Sequence, residues 1–220
     1  MKENMKKDGS NKLSLTTKEK AILDVQSAIQ MIPYVGSSIA TLYFGYKQEI
    51  RFKRLEFFYK ELAKEIEEIK EEIKEINKQD KESFLFILEE LNESVEKEYR
   101  LEKINFFKNY FKNTLKNPVN KTNFDERQYF LNILKSMTLL ESSILKFLIN
   151  IKNEPTEIRN INLNKIDQYA IIGSVEKLKS YGFSESQTIS VMIGTGQDNR
   201  LKEKIKLSNF GIKFYNFCIE

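Results

Sequence analysis

Apolar and polar residues follow three different patterns along this chain. Val25 to Tyr46 (VQSAIQMIPYVGSSIATLYFGY) carries no charge, lies between charged flanks, and has Pro33 and Gly36 near its middle. About 20 apolar residues span a bilayer as one helix, and this run has the length. It also carries Gln26, Ser27, Gln30, Ser37, Ser38 and Thr41, while Pro33 and Gly36 divide it into halves too short to cross alone. The pattern therefore predicts an apolar helical hairpin packed on the protein, its first helix capped by Thr16 or Thr17, and not a constitutive membrane span.

From Lys47 to about Asn77 the apolar positions recur at spacings of three and four: Phe52, Leu55, Tyr59, Leu62, Ile66, Ile69, Ile73 and Ile76. That is a heptad seam, reinforced by Glu-to-Lys pairs three apart such as Glu61 with Lys64. Lys78, Gln79 and Asp80 mark a turn. Phe84, Leu88, Leu91, Val95 and Tyr99 then run at helical spacing into Ile104, Phe107, Phe111 and Leu115. Two helices with one apolar stripe each cover one another as a long antiparallel pair, with a coiled-coil dimer as the rival arrangement. Pro118 ends the second helix, because it lacks an amide and disfavours helical geometry before it.

Beyond Asn123 the elements shorten. Phe124–Ser136 and Leu139–Ile151 read as helices, the second capped by Thr138, with Pro155 beyond its end. A short element over about Thr156–Ile166 leads to Asp167, which caps a helix Gln168–Ser180 with Gly182 just past its end. Strand-like runs Thr188–Ile193 and Lys204–Leu207 follow, then a Ser208-capped helix with Phe210, Phe214 and Phe217 on one face. This order is that of a winged helix-turn-helix. The expected organisation is a flexible tail (1–17), a hairpin-and-stalk domain (18–120) and a winged-helix-like α+β module (121–220), mostly α throughout.

Composition agrees with a helical globular chain: 220 residues, 40% hydrophobic, with three prolines and eight glycines. Histidine is absent and Cys218 is the only cysteine, so Ser-His-Asp, Cys-His and His-based metal chemistry cannot be built within this sequence. A single cysteine suits a reducing compartment, and the polar, basic first twenty residues lack the apolar core of a signal peptide. Cytoplasmic residence is expected, with a peripheral position on the inner face of the membrane as an extension of it. The net charge of +4 is uneven. Lys60–Lys103 holds 9 basic against 15 acidic residues, a balance of −6, which leaves +10 on the two flanks. Basic flanks suit nucleic acid, an anionic membrane, or an acidic stalk in the same or a neighbouring molecule.

No motif points to catalysis, a cofactor, a metal or a small-molecule substrate. Gly194-Thr195-Gly196 is too short for a phosphate loop and lies in a predicted hairpin. The acidic run EIEEIKEEIKEI is interleaved with lysines, as on a solvated helix. Were the winged helix to read DNA, Gln168–Ser180 would enter the groove with Gln168, Tyr169, Ser174, Lys177 and Lys179, and Arg200, Lys202, Lys204 and Lys206 would lie on the wing. That helix has no arginine, which duplex readout usually needs. The candidate membrane or partner contacts are Pro33, Val35, Gly36, Ile39 and Leu42 in the hairpin, with Arg51 and Arg54 beside it. Lys47, Arg51, Lys53 and Arg54 would form a collar for lipid headgroups. Alternatively, Arg51 or Arg54 hydrogen-bonds helix-end carbonyls or pairs with Glu102.

The runs SAIQMIPYVGSSIATLYFG, RFKRLEFFYKEL, YRLEKINFFKNYFKNTL, FLNILKSMTLLESSILKFL and LSNFGIKFYNFC, between Ala21 and Cys218, resemble a set of uncharacterised bacterial proteins that includes the abortive-infection alpha type. The resemblance singles out Pro33, Gly36, Arg51, Arg54, Glu102 and Lys103. It implies a non-enzymatic antiviral defence protein that acts through protein or membrane association, with a protein partner or homo-oligomer and membrane contact after a trigger. The alternative is a cytoplasmic winged-helix regulator that binds DNA.

Overall fold

A computed structural model describes residues 47–69, 79–187 and 199–220. The chain divides into two units, 1–52 and 53–220, and all contacts below belong to the second. The hairpin with Pro33, Val35, Gly36, Ile39 and Leu42, the predicted strand at 188–193 and the Gly194-Thr195-Gly196 turn lie outside the described residues. Those that are described are mostly helical, with seven α-helices and a small three-stranded antiparallel sheet.

The first helix, α1 (Lys47–Ile69), buries Phe58 and Leu62 and half-buries Leu55 and Ile66. Among the described residues the seam is thus displaced from the sequence expectation at one position: Phe58 faces the core, and Tyr59 turns outward to donate its hydroxyl to Asn92 Oδ1 at 2.6 Å. Both rings suit the 3.6-residue period, and the one carrying a hydroxyl takes the wet side, where it finds an acceptor. Glu61 and Lys64 pair at 2.6 Å as the spacing predicts.

The second stalk helix is not continuous. It is broken into α2 (Lys81–Lys97) and α3 (Leu101–Lys116) by extended backbone at Glu98 and Arg100. The Glu98 carboxylate accepts the amides of Tyr99 and Arg100, both at 3.0 Å, so a side chain satisfies groups that would otherwise continue the helix ladder. Tyr99, predicted on the seam, is instead 71% exposed. Val95, Ile104, Phe107, Phe111 and Leu115 are buried as the periodicity predicts. Asp80 caps α2 by accepting from Ser83 N, and its own amide donates to Val119 O beyond Pro118.

The remaining helices are α4 (Phe124–Ser136), α5 (Leu139–Asn150), α6 (Gln168–Ser180) and α7 (Asn209–Phe214), the last running into a wider turn over Tyr215–Ile219. Thr138 and Glu141 form a reciprocal capping box on α5, Asp167 caps α6, and Ser208 caps α7. Gly182, just past α6, has φ +75°, the left-handed geometry that favours glycine. The strands β1 (Thr156–Glu157), β2 (Ser184–Gln187) and β3 (Lys204–Leu207) lie in the order β1-β3-β2, both pairings antiparallel.

One apolar core runs from Phe58 to Ile219. Its densest part is aromatic: Phe183 stacks on Phe214 at 4.4 Å, and Phe130 meets Phe214 edge-on at 5.2 Å. Phe217 packs against Tyr110 at 5.6 Å. Gly211 is obligatory here, because a Cβ would sit 2.2 Å from the Phe183 carbonyl oxygen.

Candidate functional site

Two places in the second unit combine exposure with chemistry. The first is the outward face of α6. Ile171, Ile172, Val175 and Leu178 face the core, so the 3.6-residue period turns Tyr169, Ala170, Gly173, Glu176 and Ser180 to solvent. Tyr169 is 59% exposed, and an added Cβ at Gly173 would meet nothing within 4 Å. The result is a smooth surface with one projecting phenol and one carboxylate.

The two lysines proposed for a nucleic-acid interface are committed elsewhere. Lys177 donates to Glu141 Oε1 at 3.1 Å and to Ser136 O at 3.4 Å, and lies 5.7 Å from the Tyr181 ring centre. Lys179 bridges Glu176 at 2.7 Å and Glu203 at 2.6 Å. Partial burial disfavours the charge on both ammonium groups, but the hydrogen bonds they donate, to Tyr181 and Glu141 in one case and to Glu176 and Glu203 in the other, outweigh it and raise their pKa. Gln168 turns inward, its Nε2 donating to Ile161 O at 3.3 Å, while Oε1 is buried without a partner. Lys202 is exposed, Lys204 is half-buried in β3, and Lys206 pairs with Glu185 at 3.5 Å. Among the described candidate nucleic-acid contacts, Tyr169, Arg200 and Lys202 are the exposed ones.

The second place is the elbow between α2 and α3. A cavity of about 280 Å³ is lined by Glu93, Ser94, Lys97, Glu98, Arg100, Lys103, Phe107 and Lys135. Arg100 clasps Glu98 with two hydrogen bonds, Nε to Oε1 and Nη2 to Oε2, each 2.8 Å. Burial alone would raise the Glu98 carboxyl, but the side-chain and backbone hydrogen bonds of Arg100 prevail and hold its pKa at about 2. Lys103 is 3% exposed; its Nζ donates to Lys135 O at 2.7 Å and stands 3.6 Å from Glu98 Oε2. Burial lowers its pKa. The only signal for this site in the sequence was the Glu102-Lys103 pair, which the resemblance marked without giving Lys103 a role.

The arginine collar is resolved in part. Arg54 donates Nη1 to the Glu96 carbonyl, 3.1 Å away in the last turn of α2, which is the helix-end contact offered as an alternative above. Glu102 pairs with Lys146 at 2.7 Å instead of with an arginine. Arg51 lies half-buried on α1. Cys218 is fully buried and burial pushes its thiol pKa well up, so it packs as a small apolar residue. No helix among the described residues is long and apolar enough to cross a membrane. In comparisons with protein families, curated proteins and solved structures, nothing matches the chain.

Proposed function

We propose that this chain is a non-enzymatic bacterial antiviral protein of the abortive-infection type, acting through association with a protein partner. In this reading the C-terminal module is a winged helix used for protein contact. The element order α5, β1, α6, β2, β3 and the sheet order β1-β3-β2 support the winged-helix comparison. The observation that carries protein over DNA is the committed state of Lys177 and Lys179: both are held by carboxylates, and the exposed face of α6 has no cation and one glutamate. Phosphate contacts supply a large share of the affinity in duplex binding, and the two cations of this helix are already engaged by carboxylates. A projecting tyrosine beside small residues is instead the composition of a protein hot spot.

The sequence resemblance supports the defence role. Protein or membrane association after a trigger belongs to the same proposal, with Pro33, Val35, Gly36, Ile39 and Leu42 as its apolar element and the inner face of the cytoplasmic membrane as its location. Fractionation of cells before and after phage infection tests that part.

Gly173→Arg separates the two readings, because the open space at Gly173 accepts a side chain without disturbing the fold. Under protein association, the variant loses protection in a phage challenge and gains no binding to duplex DNA at low salt. Tighter, salt-dependent duplex binding by the variant, with wild-type binding that Lys202→Ala and Lys204→Ala weaken, would replace this reading with the DNA-binding regulator.

A further inference from the structure

The elbow cavity plays no part in that proposal, yet several charges of the described residues converge on it. Its cationic lining comes from three helical segments: Lys97 at the end of α2, Arg100 and Lys103 at the start of α3, and Lys135 near the end of α4. Each cation except one has its own hydrogen-bonded carboxylate. Lys97 pairs with Glu93 at 3.1 Å, Lys135 with Glu90, and Arg100 with Glu98. Lys103 is the exception: the Glu98 oxygen nearest it is 3.6 Å away and already accepts from Arg100, so its direct acceptor is a neutral carbonyl.

The backbone adds to this excess. Arg100 occupies the N-cap of α3 without a side-chain cap, and Lys103 sits in the first turn. Two cations stand at the positive end of this 16-residue helix, where Glu98 and Glu102 already meet part of its dipole. A buried ammonium whose direct acceptor is a neutral carbonyl is stabilised by one bound anion. Donors remain: Arg100 spends Nε and Nη2 on Glu98, leaving Nη1, and the Lys103 ammonium gives one of its three hydrogens to Lys135 O.

We propose that the elbow cavity binds a phosphate-type oxyanion carried by a small molecule. A tetrahedral anion presents oxygens in several directions and so meets cations arriving from three segments, whereas a planar carboxylate presents two. At about 280 Å³ the cavity is at the small end for ligand pockets, which fits a phosphate with a small remainder against the Phe107 wall.

The test is calorimetric titration of the full chain at low ionic strength with inorganic phosphate, pyrophosphate and acetate, alongside amide shifts of Tyr99–Lys103 by NMR. Saturable binding of phosphate and pyrophosphate with shifts at those amides is expected, with acetate weaker by about tenfold. Lys97→Ala combined with Lys135→Ala keeps the carbonyl that holds Lys103 and should weaken phosphate about tenfold. Lys103→Met should abolish binding if it folds; the double variant keeps the proposal testable if it does not. No saturable phosphate binding, equal affinity for acetate, or unchanged affinity in the double variant would overturn it.

Discussion

The elbow and the aromatic core solve the same problem, that of fixing helices against one another, with opposite materials. At the elbow, Glu98, Arg100, Lys103 and Lys135 meet through directed bonds whose strength depends on protonation and ionic strength. In the aromatic core, Phe130, Phe183, Phe214 and Phe217 meet through area and shape, which neither pH nor modest salt alters. The difference teaches where the molecule can respond. A charge-held joint yields to a ligand or to acid, while the apolar joint stays closed.

The sharpest way to break the comparison is Phe214→Ala. This ring is fully buried between Phe130 and Phe183, so truncation should cost about 3–5 kcal/mol in denaturant unfolding. The loss should be the same at low and at moderate salt. A strongly salt-dependent loss would mean that the two joints are not distinct.

Glu98→Gln comes next, at about 2–3 kcal/mol, since it leaves Lys103 and Arg100 without their shared carboxylate. The sign of its pH dependence follows from a folded-state pKa of about 2 against an ordinary 4.5. Below 4.5 the unfolded chain takes up the proton first, so the contribution of Glu98 is complete above that value and is lost as pH falls toward 2. Wild-type stability should fall more steeply through this window than that of the variant. Parallel acid curves would show that Glu98 does not govern the joint.

A smaller effect, of opposite sign, sharpens the contrast from the apolar side. Arg127 is 7% exposed, its Nε and Nη1 find no hydrogen-bond acceptor, and its guanidinium lies 3.9 Å from the Phe217 ring centre. Burial lowers its pKa, and the nearest carboxylate, Glu126, is 4.0 Å away. Arg127→Met keeps an unbranched apolar stem and removes the desolvated charge. It should raise stability by about 1 kcal/mol in the same unfolding assay, as replacement of buried ions by apolar residues does elsewhere. The smallest effect belongs to Lys97→Ala. Its pair with Glu93 is exposed, so the change should stay within about 0.5 kcal/mol, and a larger loss would extend the charge-held joint to the surface.

What could be read in the sequence was local. Thr138, Asp167 and Ser208 announce helix starts because a short oxygen-bearing side chain reaches amides two or three residues on. Pro118 and Gly182 announce ends for equally local reasons. The elbow left only a slip of phase in the sequence: Val95 and Tyr99 are four apart but Tyr99 and Ile104 are five, and the break is made by a glutamate folded onto the next two amides, with no Gly or Pro to signal it. The strand β2 was equally hidden. Ser184–Gln187 shows no apolar alternation and becomes a strand by pairing with β3. Of the candidate contacts, Lys177 and Lys179 had the right residue type, but their partners Glu141 and Glu203 come from other elements. The elbow cavity escaped for the same reason, since Lys135 joins it from α4.

The way α3 is fastened to residues about a hundred positions downstream bears on how the protein is made. Asn113 Nδ2 donates to the Phe217 carbonyl across 104 positions, and Asn109 Nδ2 to those of Ile219 and Glu220. Tyr110 and Phe130 likewise meet Phe217 only once residues far downstream exist. During synthesis, α3 and α4 leave the ribosome with an aromatic stripe whose partners have not yet been translated. Contacts of such sequence separation form late, and the waiting surface is sticky. The nascent chain should therefore depend on chaperones until α7 arrives, and a ribosome stalled before Phe210 should hold a chain with secondary structure but no closed core.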